Sequence, residues 1–245
     1  MAPKKQTKKK MSKKKKRRLK IFKWTSIIVL LLGAIIMFLL SDLFNIKEIK
    51  VIDNNKITQE EIISLSKIKT NENMFKFLKL KAIENIKTNP YIEDVKIHRK
   101  LNGTIEIIVI ERTPTYMLNI EEEQYAYINN QGYVLEINSE KIEKPVILGF
   151  TSENLEAGNR LNVADLKKLN IVVKIMNTAE DREIADKISN INIENDQDIL
   201  ITMESEEKII HFGDEKSIND KFVKLMAVLA DTERTKRGNI FKKHK

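Results

Sequence analysis

Residues 91–114 read YIEDVKIHRKLNGTIEIIVIERTP, and this stretch decides the architecture of the region around it. Apolar residues alternate with polar ones on both sides of the Asn102-Gly103 pair; they are Val95, Ile97, Ile105, Ile107 and Val109. Such alternation is typical of half-buried strands, and Asn-Gly is favoured in tight hairpin turns. The stretch therefore predicts a β-hairpin.

The residues before the hairpin predict one strand and two helices. IKEIKVIDNN (46–55) has the alternation of a strand and ends in a turn. Thr58 and Glu61 have the spacing of a capping box, which predicts a short helix from that point. NMFKFLKLKAIENIKTNP (73–90) predicts a second helix that Pro90 closes, with one face formed by Phe75, Leu78, Ala82 and Ile86. The predicted order is β-α-α-β-β in about 70 residues.

The following segment, 115–237, is predicted to be rich in strands. QYAYINNQGYVLEI predicts a hairpin around Asn129 to Gly132, and further strands are predicted in KPVILGF, SNINI, DILITM and KIIHFG. One helix is predicted from the cap at Asn162. A second, amphipathic helix is predicted from Ser217, with a buried face formed by Ile218, Phe222, Leu225 and Leu229. The fold class is therefore α+β, with an antiparallel sheet and flanking helices.

Towards the N-terminus, a basic block precedes a long apolar run. The first 23 residues contain thirteen Lys and Arg and no acid, and the remaining 31 basic and 35 acidic residues leave a net charge of −4. Residues 24–41 carry no charge and would span roughly 27 Å as a helix, close to the thickness of a bilayer core. We predict one transmembrane helix, anchored by residues such as Trp24, Ile27, Leu30 and Leu40.

A cleaved signal peptide and a buried core helix are the alternatives for this run. The leader is long and the following SDLFNIK lacks a small-residue cleavage site, which argues against a signal peptide. The positive-inside rule then places residues 1–23 in the cytoplasm and residues 42–245 outside it. A basic block beside a membrane helix favours binding to anionic lipid rather than to nucleic acid.

The sequence contains little that predicts catalysis. Its seven glycines form no phosphate loop, it has no cysteine, and its three histidines, His98, His211 and His244, lack the spacing of metal ligands. Ser64 and Lys67 have the S-x-x-K spacing of wall transpeptidases, but Lys-Thr-Gly occurs nowhere. We expect no enzyme activity, cofactor, metal ion or small-molecule substrate. A membrane-anchored cell-wall enzyme is the alternative.

Several short motifs occur in an order that resembles one family. They are NENMFKF, NPYIEDVKIHR, IIVIERTP, AYINNQGYVLE and IIHFGD with the following Lys221. Together with the basic tail and the apolar run, they resemble the FtsQ/DivIB division proteins of bacteria. The resemblance implies a cytoplasmic tail (1–23), a membrane helix (24–41), a POTRA domain (44–114), a β-domain (115–237) and a basic C-terminal tail (238–245). GNIF takes the place of the Gly-x-Ile-Asp that opens the last strand in the family.

The resemblance also implies a function. It implies a non-catalytic scaffold at the division septum that binds bitopic proteins of the FtsL and FtsB/DivIC types and helps couple septum formation to septal peptidoglycan synthesis. A POTRA-type export or assembly module is another alternative. Peptide addition to an exposed sheet edge would suit such binding.

Two groups of residues are the candidate sites. The candidate partner-binding edge is formed by Ile209, His211, Phe212, Ile240 and Phe241. If KIIHFG forms an edge strand, one of its two faces must be covered, either by a partner or by the final helix. Glu111 and Arg112 follow the hairpin and are a candidate domain joint, with a solvated surface pair as the alternative.

Overall fold

Two compact units make up the part of the chain that the computed structural model describes, which is residues 13–121, 124–153 and 155–242. The first unit contains the residues up to Asn54 together with 58–85 and 96–108. The second contains 55–57, 86–95 and the chain from Val109 onwards.

The helices and strands follow the predicted order, with one strand more than the sequence predicts. Among the described residues the helices are α1 (Lys13–Leu39), α2 (Gln59–Ser66), α3 (Lys79–Ile86), α4 (Val163–Glu180) and α5 (Ile218–Lys242). The strands are β1 (Glu48–Ile52), β2 (Ile92–Arg99), β3 (Thr104–Glu111), β4 (Tyr116–Glu121), β5 (Gln124–Ile128), β6 (Val134–Asn138), β7 (Val146–Leu148), β8 (Asn190–Asn192), β9 (Ile199–Met203) and β10 (Lys208–Gly213).

Helix α1 is long and apolar enough to cross a membrane, over Arg17–Leu39. Its apolar side chains are exposed, among them the predicted anchors Trp24, Ile27 and Leu30; Leu40 follows the helix end and is also exposed. The helix begins at Lys13, further towards the N-terminus than the predicted membrane span of 24–41, because lysine and arginine are good helix formers and extend the helix into the basic block.

The predicted hairpin is confirmed as β2 and β3, and β1 lies beside β3. The order is β1-β3-β2, with β1 parallel to β3 from the pair Glu48 and Thr104 to the pair Ile52 and Ile108. The cap of α2 is confirmed, since the Thr58 side chain accepts a hydrogen bond from the Glu61 N–H at 3.2 Å.

Helix α3 begins at Lys79, later than the sequence predicts, because Asn73 holds the preceding residues in another conformation. Its buried side chain donates to the carbonyl oxygens of Leu39 and Ser41, both at 3.0 Å, and accepts from the Phe75 N–H at 3.0 Å. We call this set of contacts the Asn73 clasp. Ala82 and Ile86 are buried as predicted, whereas Leu78 is exposed.

The second unit is built on a seven-stranded sheet with the order β10-β9-β8-β7-β4-β5-β6. Four neighbouring pairs are antiparallel, and β7 runs parallel to both of its neighbours, β4 and β8. Strand β4 is not predicted from the sequence, although Tyr116 and Leu118 alternate into the core. Helices cover one face of this sheet.

Helices α4 and α5 form that cover. Helix α4 begins at the predicted cap, where the Asn162 side chain accepts from the Asp165 N–H at 2.8 Å. The buried face predicted for α5 is confirmed for Phe222, Leu225 and Leu229, while Ile218 is partly buried. These residues pack with inward side chains of the strands, including Ile147, Ile191 and Ile201.

Candidate functional site

Strand β10 lies at one end of the seven-stranded sheet, so one side of its backbone has no neighbouring strand among the described residues. An edge strand presents unpaired N–H and C=O groups, and these can pair with another chain. The regular register with β9 runs from Lys208 to His211, and a bulge follows between His211 and Gly213. The edge that could accept a regular partner strand is therefore the four residues 208–211.

The two faces of β10 differ sharply in burial. Ile209 is 68% exposed and His211 is also exposed, on the face opposite the helices. Phe212 is only 5% exposed, and its ring centroid lies 5.3 Å from that of Phe222 on α5. The final helix therefore covers one face, and Phe212 is a core residue. Assigning Phe212 to a partner-binding surface is wrong for this reason.

The turn after β10 is fixed by Lys221 of α5. Its Nζ donates to the Asp214 carbonyl oxygen at 2.7 Å and to Asp214 Oδ1 at 2.9 Å. These contacts, together with the backbone hydrogen bond from Lys216, lower the pKa of Asp214. Gly213 has φ of +76°, a conformation that favours glycine. The contacts of Lys221 with Asp214 thus hold the end of the edge strand in place.

Side chains of β9 and β8 continue the exposed face of β10. Thr202 and Asn190 lie in line with Ile209, and Leu200 and Asn192 in line with His211, by the register of the three strands. His211 Nδ1 is 3.1 Å from Asp198 Oδ2, in an exposed pair. An incoming chain would meet the exposed side chain of Ile209 and the partly exposed Leu200 among Thr202, Asn190 and Asn192, next to the pair of His211 and Asp198.

Ile240 and Phe241 lie in helix α5, which runs to Lys242, and not on a strand. The prediction that they belong to the sheet edge is therefore wrong. The segment TERTKRGNIFK consists mostly of residues compatible with a helix and contains no proline, so the helix passes through Gly238 without a break. Residues 243–245 of the predicted basic tail, which include His244, lie outside the described residues, as do residues 1–12.

Glu111 and Arg112 do not form a solvated pair; each binds backbone groups in the second unit. The Glu111 carboxylate accepts from the N–H groups of Asn55, Lys56 and Ile57 at 3.1, 2.7 and 3.1 Å. Arg112 Nη1 donates to the carbonyl oxygens of Pro90 and Ile92. The Arg112 guanidinium also lies 4.2 Å from the Tyr133 ring centroid. Both side chains thus tie distant segments of the unit together.

A second cluster in the same unit was not predicted. Lys56 Nζ donates to Tyr91 Oη and, at 2.9 Å, to Glu136 Oε2, and the Tyr91 hydroxyl donates to the same oxygen at 2.7 Å. Hydrogen bonds from Tyr91 and Lys56 lower the pKa of Glu136 to about 2. Burial raises the pKa of Tyr91 to about 12. No local motif marks these residues, because they are 35 to 80 positions apart.

We expect replacement Glu136→Gln to remove a pH-dependent part of the stability. The folded pKa of about 2 lies below the ordinary value of 4.5, so the carboxylate stabilises the fold above pH 4.5 and loses this effect between pH 4.5 and 2. The side chain is one-third exposed, and solvent weakens its interactions. We therefore expect the variant to lose about 1 kcal/mol in the free energy of unfolding at pH 7. Urea unfolding of the full chain in detergent, followed by circular dichroism across this pH range, measures it. Exposed Glu140→Gln is the control, and a difference that persists at pH 2 would contradict the assignment.

The groups considered for catalysis lie at the surface. Ser64 is exposed near the end of α2, and Lys67 is the left-handed residue that ends this helix, with its N–H bonded to the Ser64 carbonyl oxygen. His98 is exposed on β2. Within the described residues, no cluster of three or more His, Asp or Glu could hold a metal ion.

Comparisons with known proteins agree with this arrangement. A family model for the FtsQ-type POTRA domain matches residues 44–112, and one described as FtsQ/DivIB, C-terminal related, matches residues 113–243. The cell division protein DivIB of Clostridium tetani is 30% identical over 193 residues, which is 78% of this chain and 71% of that protein. DivIB of Clostridium botulinum is 38% identical over 136 residues, 55% of this chain and 51% of that protein. FtsQ of a Geobacter species is 27% identical over 115 residues, 46% of this chain and 41% of that protein.

An apolar N-terminal helix followed by a POTRA domain and a sheet-rich domain defines a membrane-anchored POTRA protein. The two family models together cover residues 44–243, and the second alone covers more than half of the chain. The chain belongs to the FtsQ/DivIB family of cell division proteins. The match spans about half the length of the Clostridium botulinum relative.

Proposed function

We propose that this protein is a non-catalytic scaffold of the division machinery. It binds bitopic proteins of the FtsL and FtsB/DivIC types at the division septum and helps couple septum formation to septal peptidoglycan synthesis. The observation that carries this proposal is the exposed edge strand β10, with Ile209 68% exposed, on a chain with a membrane-spanning helix. The relatives from Clostridium tetani and a Geobacter species are named as cell division proteins, which supports the role in division.

The binding mode that suits this edge is the addition of a partner strand. Main-chain hydrogen bonds along residues 208–211 would supply affinity, while Ile209 and His211, on the outward face, would supply specificity. Partners that share the membrane with α1 search a plane rather than a volume, which raises their effective concentration. A short edge can therefore be sufficient for binding.

The proposed topology places the basic N-terminal tail in the cytoplasm and both domains outside it. The thirteen basic residues before Trp24 and the charge-free run that follows support this orientation. Attraction of the basic tail to anionic lipid would also hold it at the cytoplasmic surface.

Glu111 and Arg112 are proposed as a domain joint. They lie at the end of the stretch that the POTRA model matches, and Arg112 stacks on Tyr133, which lies in the stretch matched by the second model. The Lys56, Tyr91 and Glu136 cluster also links residues of the two matched stretches. Within the second unit, such contacts would hold the segments around Lys56, Tyr91 and Arg112 against Tyr133 and Glu136.

We expect Ile209→Asp to weaken partner binding about thirty-fold, which corresponds to about 2 kcal/mol for an apolar side chain central to an interface. Co-purification of FtsL-type and DivIC-type proteins with the full chain, from the host membrane, measures this. Val163→Asp is the matched control, since Val163 is 72% exposed at the start of α4. Equal recovery of partners by both variants would exclude this edge as the site.

Depletion of the protein in its host tests the division role itself. We expect long cells without completed septa and a midcell band for a fluorescent fusion. Normal division together with a uniform membrane signal would overturn the proposed function.

A further inference from the structure

The first unit exposes an unusual group of leucines outside α1. Leu43, Leu78, Leu80 and Leu101 are 70%, 73%, 75% and 75% exposed, and we call them the leucine patch. Single exposed apolar residues are common on soluble domains, but a contiguous apolar patch marks an interaction surface.

Contacts around the end of α1 bring two of the segments together. The Asn73 clasp joins residue 73 to the carbonyl oxygens of Leu39 and Ser41, and the Met74 N–H donates to the Phe44 carbonyl oxygen at 2.9 Å. The rings of Phe38 and Phe44 have centroids 5.3 Å apart, and those of Phe44 and Phe75 are 5.4 Å apart. Leu43 and the segment leading to Leu78 therefore lie beside the last turn of α1.

The turn that contains Leu101 adjoins the same region. The Lys47 N–H donates to the Gly103 carbonyl oxygen at 2.8 Å, so the turn lies next to the chain that leaves α1. Arg99 donates to the Phe77 carbonyl oxygen at 2.8 Å, and its guanidinium lies 4.4 Å from the Phe77 ring centroid. The turn and the start of α3 are thus joined, and the segments that carry the leucine patch are connected to the chain that leaves α1.

Charges around the patch are mostly positive. Lys76, Lys79 and Lys81 alternate with Leu78 and Leu80 in the sequence KFLKLK, and all five side chains are exposed. Arg99, Lys100 and Lys47 lie beside them, with Lys100 paired to Glu106. The acids on the same segments are Asp42, Glu48, Glu72, Glu84 and Glu106, and Glu106 is the partner of Lys100. Exposed leucines among lysines are the composition of surfaces that lie at the boundary of lipid headgroups and acyl chains.

We propose that the leucine patch inserts into the headgroup region of the leaflet from which α1 emerges. The occupant is lipid because the segments that carry the patch are connected to the chain that leaves α1 at Leu39, the last residue of the stretch able to span the membrane. The Asn73 clasp fixes one of these segments to Leu39. Interfacial side chains enter roughly 5–10 Å into this boundary, which is within reach of residues that contact the helix end. The lysines would bind phosphate groups of the lipids. This inference depends on α1 spanning the membrane and not on the partners of the second unit.

The absence of cysteine makes a direct test simple. Single variants Leu80→Cys and Leu101→Cys of the full chain are labelled with nitrobenzoxadiazole and reconstituted into vesicles of phosphatidylcholine and phosphatidylglycerol. Gln59→Cys is the control, because β1 carries the chain about 16 Å away from Lys47 before α2 begins at exposed Gln59. Quenching is measured with aqueous iodide and with a nitroxide on the lipid headgroup, after co-flotation has shown that each chain is anchored.

We expect the labels at positions 80 and 101 to be quenched several-fold less by iodide, and several-fold more by the headgroup nitroxide, than the label at 59. The double change Leu78→Glu and Leu80→Glu should return the label at 101 to the control value. The control is the double change Lys67→Glu and Lys69→Glu, at two exposed positions of the same unit. It should leave the quenching of the label at 101 unchanged.

Two results would overturn the proposal. One is equal iodide quenching at positions 59, 80 and 101 in anchored protein. The other is protection that disappears as the protein is diluted with lipid, which would assign the patch to contact with a second copy of the chain. Neither result depends on division activity, so failure here is distinct from failure of the proposed function.

Discussion

Replacement of Phe212 by aspartate is expected to unfold much of the second unit, with a loss of at least about 4 kcal/mol in the free energy of unfolding. Phe212 is 5% exposed and packs on Phe222, which is fully buried. Removal of such a ring costs about 3–5 kcal/mol, and an unpaired carboxylate in its place adds the cost of desolvation. Lys221 Nζ, 5.2 Å from the Phe212 ring centroid, is close enough to offset part of that cost.

The same change three residues earlier is the matched control. Ile209→Asp places the identical charge on the exposed face of β10, where we expect a change within about 0.5 kcal/mol. Urea unfolding of both full-length variants in detergent, followed by circular dichroism, measures the two values. Similar stability of the two variants would mean that α5 does not cover this strand. The comparison also separates loss of fold from loss of partner binding, which a charge at Phe212 alone cannot do.

Asp165→Ala is expected to lower the free energy of unfolding by about 3–5 kcal/mol, because it removes a fully buried carboxylate that accepts several hydrogen bonds. The Thr151 N–H lies 2.9 and 3.0 Å from its two oxygens, and the Ser152 hydroxyl and the Asn162 side-chain amide also donate to it. These bonds attach the chain after β7 to the start of α4. Without the carboxylate, the Thr151 N–H and the Asn162 amide would lose their acceptor in a partly buried place.

Amide hydrogen exchange provides the local measurement for this variant. We expect the Thr151 amide to lose its protection in Asp165→Ala, together with a lower midpoint of urea unfolding. Asp181→Ala, at the exposed C-terminal end of the same helix, is the control and should change stability by less than about 0.5 kcal/mol. Retained protection at Thr151 would show that the carboxylate does not hold this segment.

Local patterns predicted those parts of the fold that local physics controls. The hairpin around Asn102-Gly103, the cap at Thr58 and the buried stripe of α5 follow from side-chain period and capping chemistry within a few residues. The Lys56, Tyr91 and Glu136 cluster depends instead on segments that only the tertiary fold brings together, and no short motif contains that information. Asp165 was similarly missed, since its donors on Thr151 and Ser152 precede it by 14 and 13 positions.

Two errors came from reading a local pattern without its context. KIIHFG has the alternation of an edge strand, but the alternation alone does not say which face the final helix covers, and Phe212 was assigned to the surface. Phe75 and Leu78 have helical spacing with Ala82, but the side chain of Asn73 competes for the backbone and delays the helix to Lys79. The first error comes from a contact with the final helix, and the second comes from a local side-chain hydrogen bond that competes with the helix.

The Asn73 clasp has a consequence for motion within the bilayer. A helix that crosses a membrane alone is free to spin about its long axis, whatever domain it carries on a flexible tether. Here two hydrogen bonds and a series of aromatic contacts join the last turn of α1 to the domain, so the helix cannot turn without turning the domain with it. A neighbouring helix that packs against one side of α1 would therefore also fix the rotational orientation of the first unit about the membrane normal.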